Sequence, residues 1–252
     1  MPHELQALDH WPLMAKKQNE LKKIIADNLA GQQVSPFTFE RYTVPTGGAT
    51  MWTVETPDGA SLVDEIEGVI LDVYDTRGYY IGNEDGDGGA LGNAPPDCSS
   101  PDCIVGRGRI SEDDTEDTVR DCASCSKSQW GSGRNGRGQA CGVKKRMFLM
   151  TEDAIMPIPV ALFLPSASLI AMQKYLLGLL RFGLEPHCVL TKFTLEKDRN
   201  ADGQEYARVI PKNGGRLNED AMKKFGAIAN ALRPVLRSAK IEDHELQQES
   251  GE

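Results

Sequence analysis

The spacing of hydrophobic side chains changes several times along the chain, and each change marks an element. Over residues 17–30, KQNELKKIIADNLA, the residues Leu21, Ile24, Ile25 and Leu29 recur at helical spacing with lysines between them. That predicts a short amphipathic helix. From 37 to 56 the period drops to two: FTFERYTVP alternates, and TMWTVET follows a Gly-Gly turn, so both read as strands. SLVDEIEGVILDVYD (61–75) sets Val63, Ile66, Val69, Leu71 and Val73 in near-alternation, which predicts one long strand bent at Gly68. Strands resume at KKRMFLM (144–150) and MPIPVALFLP (156–165). A helix follows, capped by Ser166 or Ser168, with Leu169, Met172, Tyr175, Leu176 and Leu179 on its apolar face and Gly183 ending it. Residues 187–211 read as a hairpin with a glycine-containing turn. Residues 217–239 read as a last helix, with Met222, Phe225, Ile228, Leu232 and Leu236 inward and a kink at Pro234.

This order predicts a mainly β protein with helices, of the α+β class. A helix after the fourth or fifth strand and a closing hairpin suit a five-stranded barrel of the oligonucleotide/oligosaccharide-binding (OB) type, which carries one helix between strands three and four. The expected organisation is a helical extension at 1–35, the barrel at 36–215, a C-terminal helix at 216–240 and an acidic tail at 241–252. A cysteine-rich insertion at about 82–143 would interrupt the barrel. Its first part, 82–120, is glycine-rich, then Pro-Pro, then acidic, and reads as a long loop.

Charge alters the picture because it is segregated. The chain of 252 residues has a formal charge of −9, which argues against an overall basic coat for nucleic acid. Residues 82–120 hold ten acids against three arginines, and the last twelve hold five acids with no lysine or arginine. Residues 126–147 hold six basic side chains and no acid: Lys127, Arg134, Arg137, Lys144, Lys145 and Arg146. The opening MPHELQALDHWPLMAKK lacks the layout of a secretory signal, and no apolar run approaches the ~20 residues of a membrane span. A cytoplasmic protein without membrane attachment is expected.

In a reducing compartment, five cysteines between residues 98 and 141 favour metal over disulfides. Cys122-x-x-Cys125 lets two thiolates face one tetrahedral Zn²⁺. Cys98 and Cys141 are the natural further ligands, with Cys103 competing for either place. A four-sulfur site is closed, so its role would be structural. His187 reads as packing. The stretch SKSQWGSGRNGRGQACGVKKR adds glycines that allow close backbone approach, cations for phosphates and Trp130 as a stacking face, against a plainer reading of Trp130 packed over the zinc knuckle.

Other chemistries find little support. NEDGDG (83–88) and DRNADG (198–203) mimic calcium loops, but position twelve is Ala94 or Val209 in place of a bidentate glutamate. There is no GxxxxGK[ST], GxSxG, HExxH or deaminase signature, so a non-catalytic protein is expected.

The segments RGYYIGNEDGDGGALGNAPPDCSSPD, DCASCSKSQWGSG, GRGQACGVKKRMFLM, MPIPVALFLPSASLIAMQKYL and VLTKFTLEKDRNADGQEYARVIP resemble a family of phage-encoded single-stranded-DNA-binding or replication-accessory proteins. That family carries a cysteine zinc element within a barrel. The likeness spans about residues 56–211 and implies Cys98, Cys122, Cys125 and Cys141 as zinc ligands, with Cys103 spare. The expected function is single-stranded-DNA binding in phage replication or recombination. Arg134, Arg137, Lys144, Lys145 and Arg146 would meet phosphates, and Trp130, Tyr79, Tyr80 and Trp52 would stack on bases. The acidic tail would compete for the groove or recruit replication proteins. The alternative is a zinc-containing protein–protein adaptor.

Overall fold

The computed structural model describes residues 39–56, 58–81, 96–133, 136–151, 158–200 and 203–238. The expected N-terminal helix, the acidic tail, Arg134 and the 83–88 loop lie outside them. The chain divides into two compact units: Met1–Val73 with Met147–Phe163 and Ala167–Leu236, and Tyr74–Arg146 with Leu164–Ser166 and Arg237–Glu252. Strands β4 (Glu65–Tyr79) and β8 (Gly142–Met150) contribute to both. Among the described residues the protein is mainly β with two α-helices, as expected for α+β.

In the first unit β1 (Arg41–Tyr42), β9 (Val160–Leu164), β8 and β4 are neighbours in that order, with β1 parallel to β9. β10 (Val189–Arg199) pairs with β4 over Glu65–Gly68 and forms a long hairpin with β11 (Glu205–Arg216). β2 (Trp52–Thr56) and β3 (Gly59–Val63) make a separate hairpin. The strand expected over 61–75 is therefore two: the first residues turn back to pair with β2, and a fresh strand starts at Glu65. In neither unit does the pairing path close on itself among the described residues.

The core follows the apolar runs. Val69, Ile70 and Leu71 on β4 and Met147–Met150 on β8 are all buried, as expected of strands covered on both faces. Gly68 lies where β8 passes closest: a Cβ there would stand 2.9 Å from the Met150 carbonyl oxygen and 3.2 Å from Leu149 Cβ. Gly68→Ala should therefore cost about 1–3 kcal/mol, the usual penalty for overpacking, read as a lower midpoint of urea unfolding.

Helix α1 (Leu169–Arg181) buries Met172 and Leu179. Ser168 stands before it, its Oγ accepting from the Val209 amide at 3.0 Å. Gly183 ends it with φ +68°, and Leu184 N–H reaches back to the Leu179 carbonyl at 3.1 Å, a glycine C-cap. Helix α2 (Glu219–Ser238) is capped by Asn218, whose Oδ1 accepts from Ala221 N at 2.8 Å. Phe225 and Ala229, with Met222, Ile228 and Leu232, pack on Val69, Leu71 and Met150, the inward face anticipated from the sequence. His187 is packed against this helix. A Cβ at Gly226 would lie 2.9 Å from its Nε2, and its Nδ1 faces Glu185 Oε2 at 3.4 Å. Among the described residues no helix is long and apolar enough to cross a membrane.

Candidate metal centre

The second unit starts from little apolar material. Its buried cluster comprises Tyr79, Cys98, Ala140 and Cys141, with Ile81 and Ile110 against it, while Ile104, Val105 and Val119 are exposed. Short strands and side-chain-to-backbone hydrogen bonds carry the rest of its order. β5 (Cys98–Ser100) pairs with β4 so that Cys98 opposes Tyr79. β6 (Val105–Gly108) pairs with β5, and β7 (Val119–Asp121) with β6. Three short strands thus occupy the stretch expected to be a loop. Gly108 has φ +123° and a would-be Cβ only 2.0 Å from the Asp97 carbonyl oxygen, so no side chain fits there.

Local hydrogen bonds order the turns at Cys103 and at Cys122–Cys125. Asp102 accepts from the amides of Ile104 (2.8 Å) and Val105 (3.0 Å) and from the Ser100 hydroxyl (3.0 Å). Asp121 heads the Cys122–Cys125 turn by accepting from the amide and hydroxyl of Ser124 at 2.9 and 2.7 Å. These bonds, the hydroxyl's first, hold its carboxyl below the ordinary carboxylate range. The Ser128 hydroxyl meets the carbonyls of Cys122 and Cys125, and Gln129 Nε2 donates to those of Ala123 (2.7 Å) and Cys125 (3.1 Å). Cys141 is tied to the same turn through its amide, which donates to the Lys127 carbonyl at 2.8 Å.

The outcome is convergence. Cys98, Cys122, Cys125 and Cys141 line one cavity of about 10 Å³, room for a single water-sized sphere. Gly106 forms part of its wall, with the sulfurs of both Cys98 and Cys122 at 3.4 Å from its would-be Cβ. Arg77, Arg120 and Lys127 line it too. The Nε atoms of Arg77 and Arg120 are buried with no hydrogen-bond partner. Arg120 is held by Asp114 at 3.0 Å and by the Gly108 carbonyl at 2.9 Å. Bonds from the Ile110 amide first, then from Arg120 and Ser111, hold Asp114 down to about 2. Burial pushes the Cys98 thiol up to about 11 and that of Cys141 to about 12, while Arg120 and Arg77 respectively pull the other way.

The donor set, four cysteines lining one small cavity that Arg77 and Arg120 also line, is of the kind that would suit a soft divalent cation. As the side chains stand, no group of three or more His, Cys, Asp or Glu among the described residues forms a metal-holding arrangement. Cys103 does not line the cavity. It has φ +60°, the left-handed conformation that favours glycine. Its thiol, raised to about 11 by burial, lies beside Arg77.

The residues expected to hold DNA are sorted less kindly. Trp130 is 83% exposed, which removes the reading of it as a cover for the knuckle. Arg137 is exposed, while Lys144 and Tyr80 are half-buried. Four expectations are corrected. Trp52 is 0% exposed, with its indole N–H on the Phe193 carbonyl at 3.0 Å, and Tyr79 is 2% exposed beneath the Lys127 ammonium, 5.1 Å from its ring. Neither can offer a face to a base. Arg146 is 2% exposed and so closed to phosphate, and Lys145 is engaged by Asp75. Arg77 and Arg120 were missed because a lone arginine in a strand carries no motif; only the pairing of β4–β7 brings them to the sulfurs. No family model, curated protein or solved structure matches the chain.

Proposed function

We propose that this chain binds single-stranded DNA through a lobe, residues 121–141, braced by Zn²⁺ on Cys98, Cys122, Cys125 and Cys141. Bound zinc would supply charge compensation and a four-way cross-link, with no part in catalysis. The observation that carries the reading is Trp130: a large aromatic face, almost wholly exposed, on a glycine-rich loop whose base is anchored at the thiols. Solvent exposure of a tryptophan is costly unless a ligand covers it, and a base is a suitable ligand beside Arg137. Lys144 is a second candidate for phosphate. An OB-like barrel belongs to the same proposal, supported by the antiparallel run of β4, β10 and β11 in the first unit. So does recruitment of replication proteins by the acidic tail at 241–252.

Fluorescence tests this directly. Of the three tryptophans Trp52 is buried and Trp11 lies outside the described residues, so quenching on addition of oligo-dT that is lost in Trp130→Phe, with Trp11 retained, is assigned to Trp130. With about two phosphates neutralised, by Arg137 and Lys144, affinity for a single strand should drop roughly sevenfold between 50 and 200 mM salt. No quenching at low salt, or binding indifferent to salt, defeats the proposal. The adaptor reading draws on exposed Ile104, Val105 and Val119; it predicts a co-purifying protein and no gel shift with single- or double-stranded DNA.

A further inference from the structure

The first unit holds an open groove that none of the chemistry above uses. Its volume is about 430 Å³, within the ~300–1,000 Å³ of small-molecule sites. The β2–β3 hairpin builds one wall. Its pairs Trp52↔Val63 and Val54↔Ser61 put Trp52, Val54 and Val63 on one face. Trp52 pins that face to the body through its indole bond to the Phe193 carbonyl, and Val54 and Val63 line the groove. Buried Ile66 and Tyr42 add to the apolar surface. Glu65 and Glu67, which share the other face of β4 from Ile66, supply charge. The lining thus carries two carboxylates and no cation.

Lys192 on β10 balances part of that charge, its Nζ standing 2.9 Å from Glu65 Oε1 and 3.3 Å from Glu67 Oε1. One net negative charge is left, and the second oxygen of each carboxylate has no partner among the described residues. Both side chains are only part-buried, at 32% and 43% exposure, so a ligand can reach them. Thr151 lines the same groove at 6% exposure, and its hydroxyl has no hydrogen-bond partner among the described residues. A buried hydroxyl left in that state is costly, and a ligand that pairs it recovers the loss.

We infer that this groove binds a small organic amine with an apolar chain and a second polar group near the nitrogen. The ammonium supplies the missing positive charge to Glu65 and Glu67, the chain lies on Val54, Val63 and Ile66, and the second polar group pairs with Thr151. A bare metal ion suits the place poorly, because Lys192 already holds one oxygen of each carboxylate. An anion is repelled by the lining. The inference stands apart from the zinc and DNA readings, since every lining residue belongs to the first unit.

Calorimetry on the full-length protein tests it with three probes. Leucinol, which has all three features, should bind with a dissociation constant on the order of 0.1–1 mM, usual for a ligand of about eight non-hydrogen atoms. Isopentylamine, lacking the hydroxyl, should bind several-fold more weakly, and the anion 4-methylpentanoate not at all. Glu67→Gln should weaken both amines at least fivefold. Thr151→Val, which keeps the side-chain shape, should weaken leucinol to the level of isopentylamine and leave isopentylamine unchanged; circular dichroism checks that both variants fold. No heat with leucinol at 5 mM, equal binding of the anion, or a leucinol affinity indifferent to either substitution would overturn the inference.

Discussion

Replacing Cys122 and Cys125 together by serine is expected to take bound zinc from about one ion per chain to none and to unfold the 74–146 unit. Serine keeps the size of each side chain but offers no thiolate, so the change tests ligation and leaves packing volume nearly constant. The expected effect is large because the unit has so little else. Its buried apolar cluster includes two of the proposed ligands themselves, and structural zinc contributes on the order of 10 kcal/mol to small domains at neutral pH. Elemental analysis gives the stoichiometry, and hydrogen exchange shows protection lost at β5–β7 and in residues 121–141, with β10, β11 and both helices still protected. A wild-type protein that purifies without a divalent metal would sink the metal reading.

The pH dependence follows from burial. In metal-free protein the Cys98 and Cys141 thiols, pushed up to about 11 and 12, hold their protons at pH 7. Zinc must displace those protons, so its affinity should rise with pH through the neutral range and be lost on acidification. Arg77 and Arg120 oppose the burial penalty by favouring thiolate, and their Nε atoms lack other partners.

Trp130→Ala should weaken binding of oligo-dT by about 1–3 kcal/mol, roughly fivefold to more than a hundredfold, the range found for loss of a base–aromatic stack. Since the indole is 83% exposed, the substitution should leave thermal unfolding and zinc content unchanged. That separates loss of a contact from loss of the fold. Trp52→Ala should do the reverse, lowering stability through a core cavity and a lost hydrogen bond. If Trp130→Ala binds like the wild type in a quantitative gel shift, the exposed indole serves another partner.

Much of the architecture was legible because local physics wrote it. Gly183 at the end of α1, the inward face of α2 and the β10–β11 hairpin follow from side-chain period and from residues that a helix end or turn requires, whereas the expected serine cap of α1 makes no cap bond, the Ser168 hydroxyl accepting from Val209 instead. The Cys-x-x-Cys turn was legible for the same reason, since its geometry lies within four residues. The break between β3 and β4 was hidden, because Val63 and Ile66 continue an alternating pattern that pairing with β2 interrupts.

What the amino-acid order determined alone was the set of donors, cations and aromatics, and which short segments bend or cap. The fold decided which of them share a place. It set Arg77 and Arg120 beside the sulfurs, closed Trp52, Tyr79 and Arg146 into the interior, matched Lys145 to Asp75, and left Trp130 and Arg137 outside. The reason is range: period and capping act over a few residues of chain. Burial and charge pairing depend on contacts between residues as far apart as Asp75 and Lys145 or Trp52 and Phe193, which no local pattern encodes.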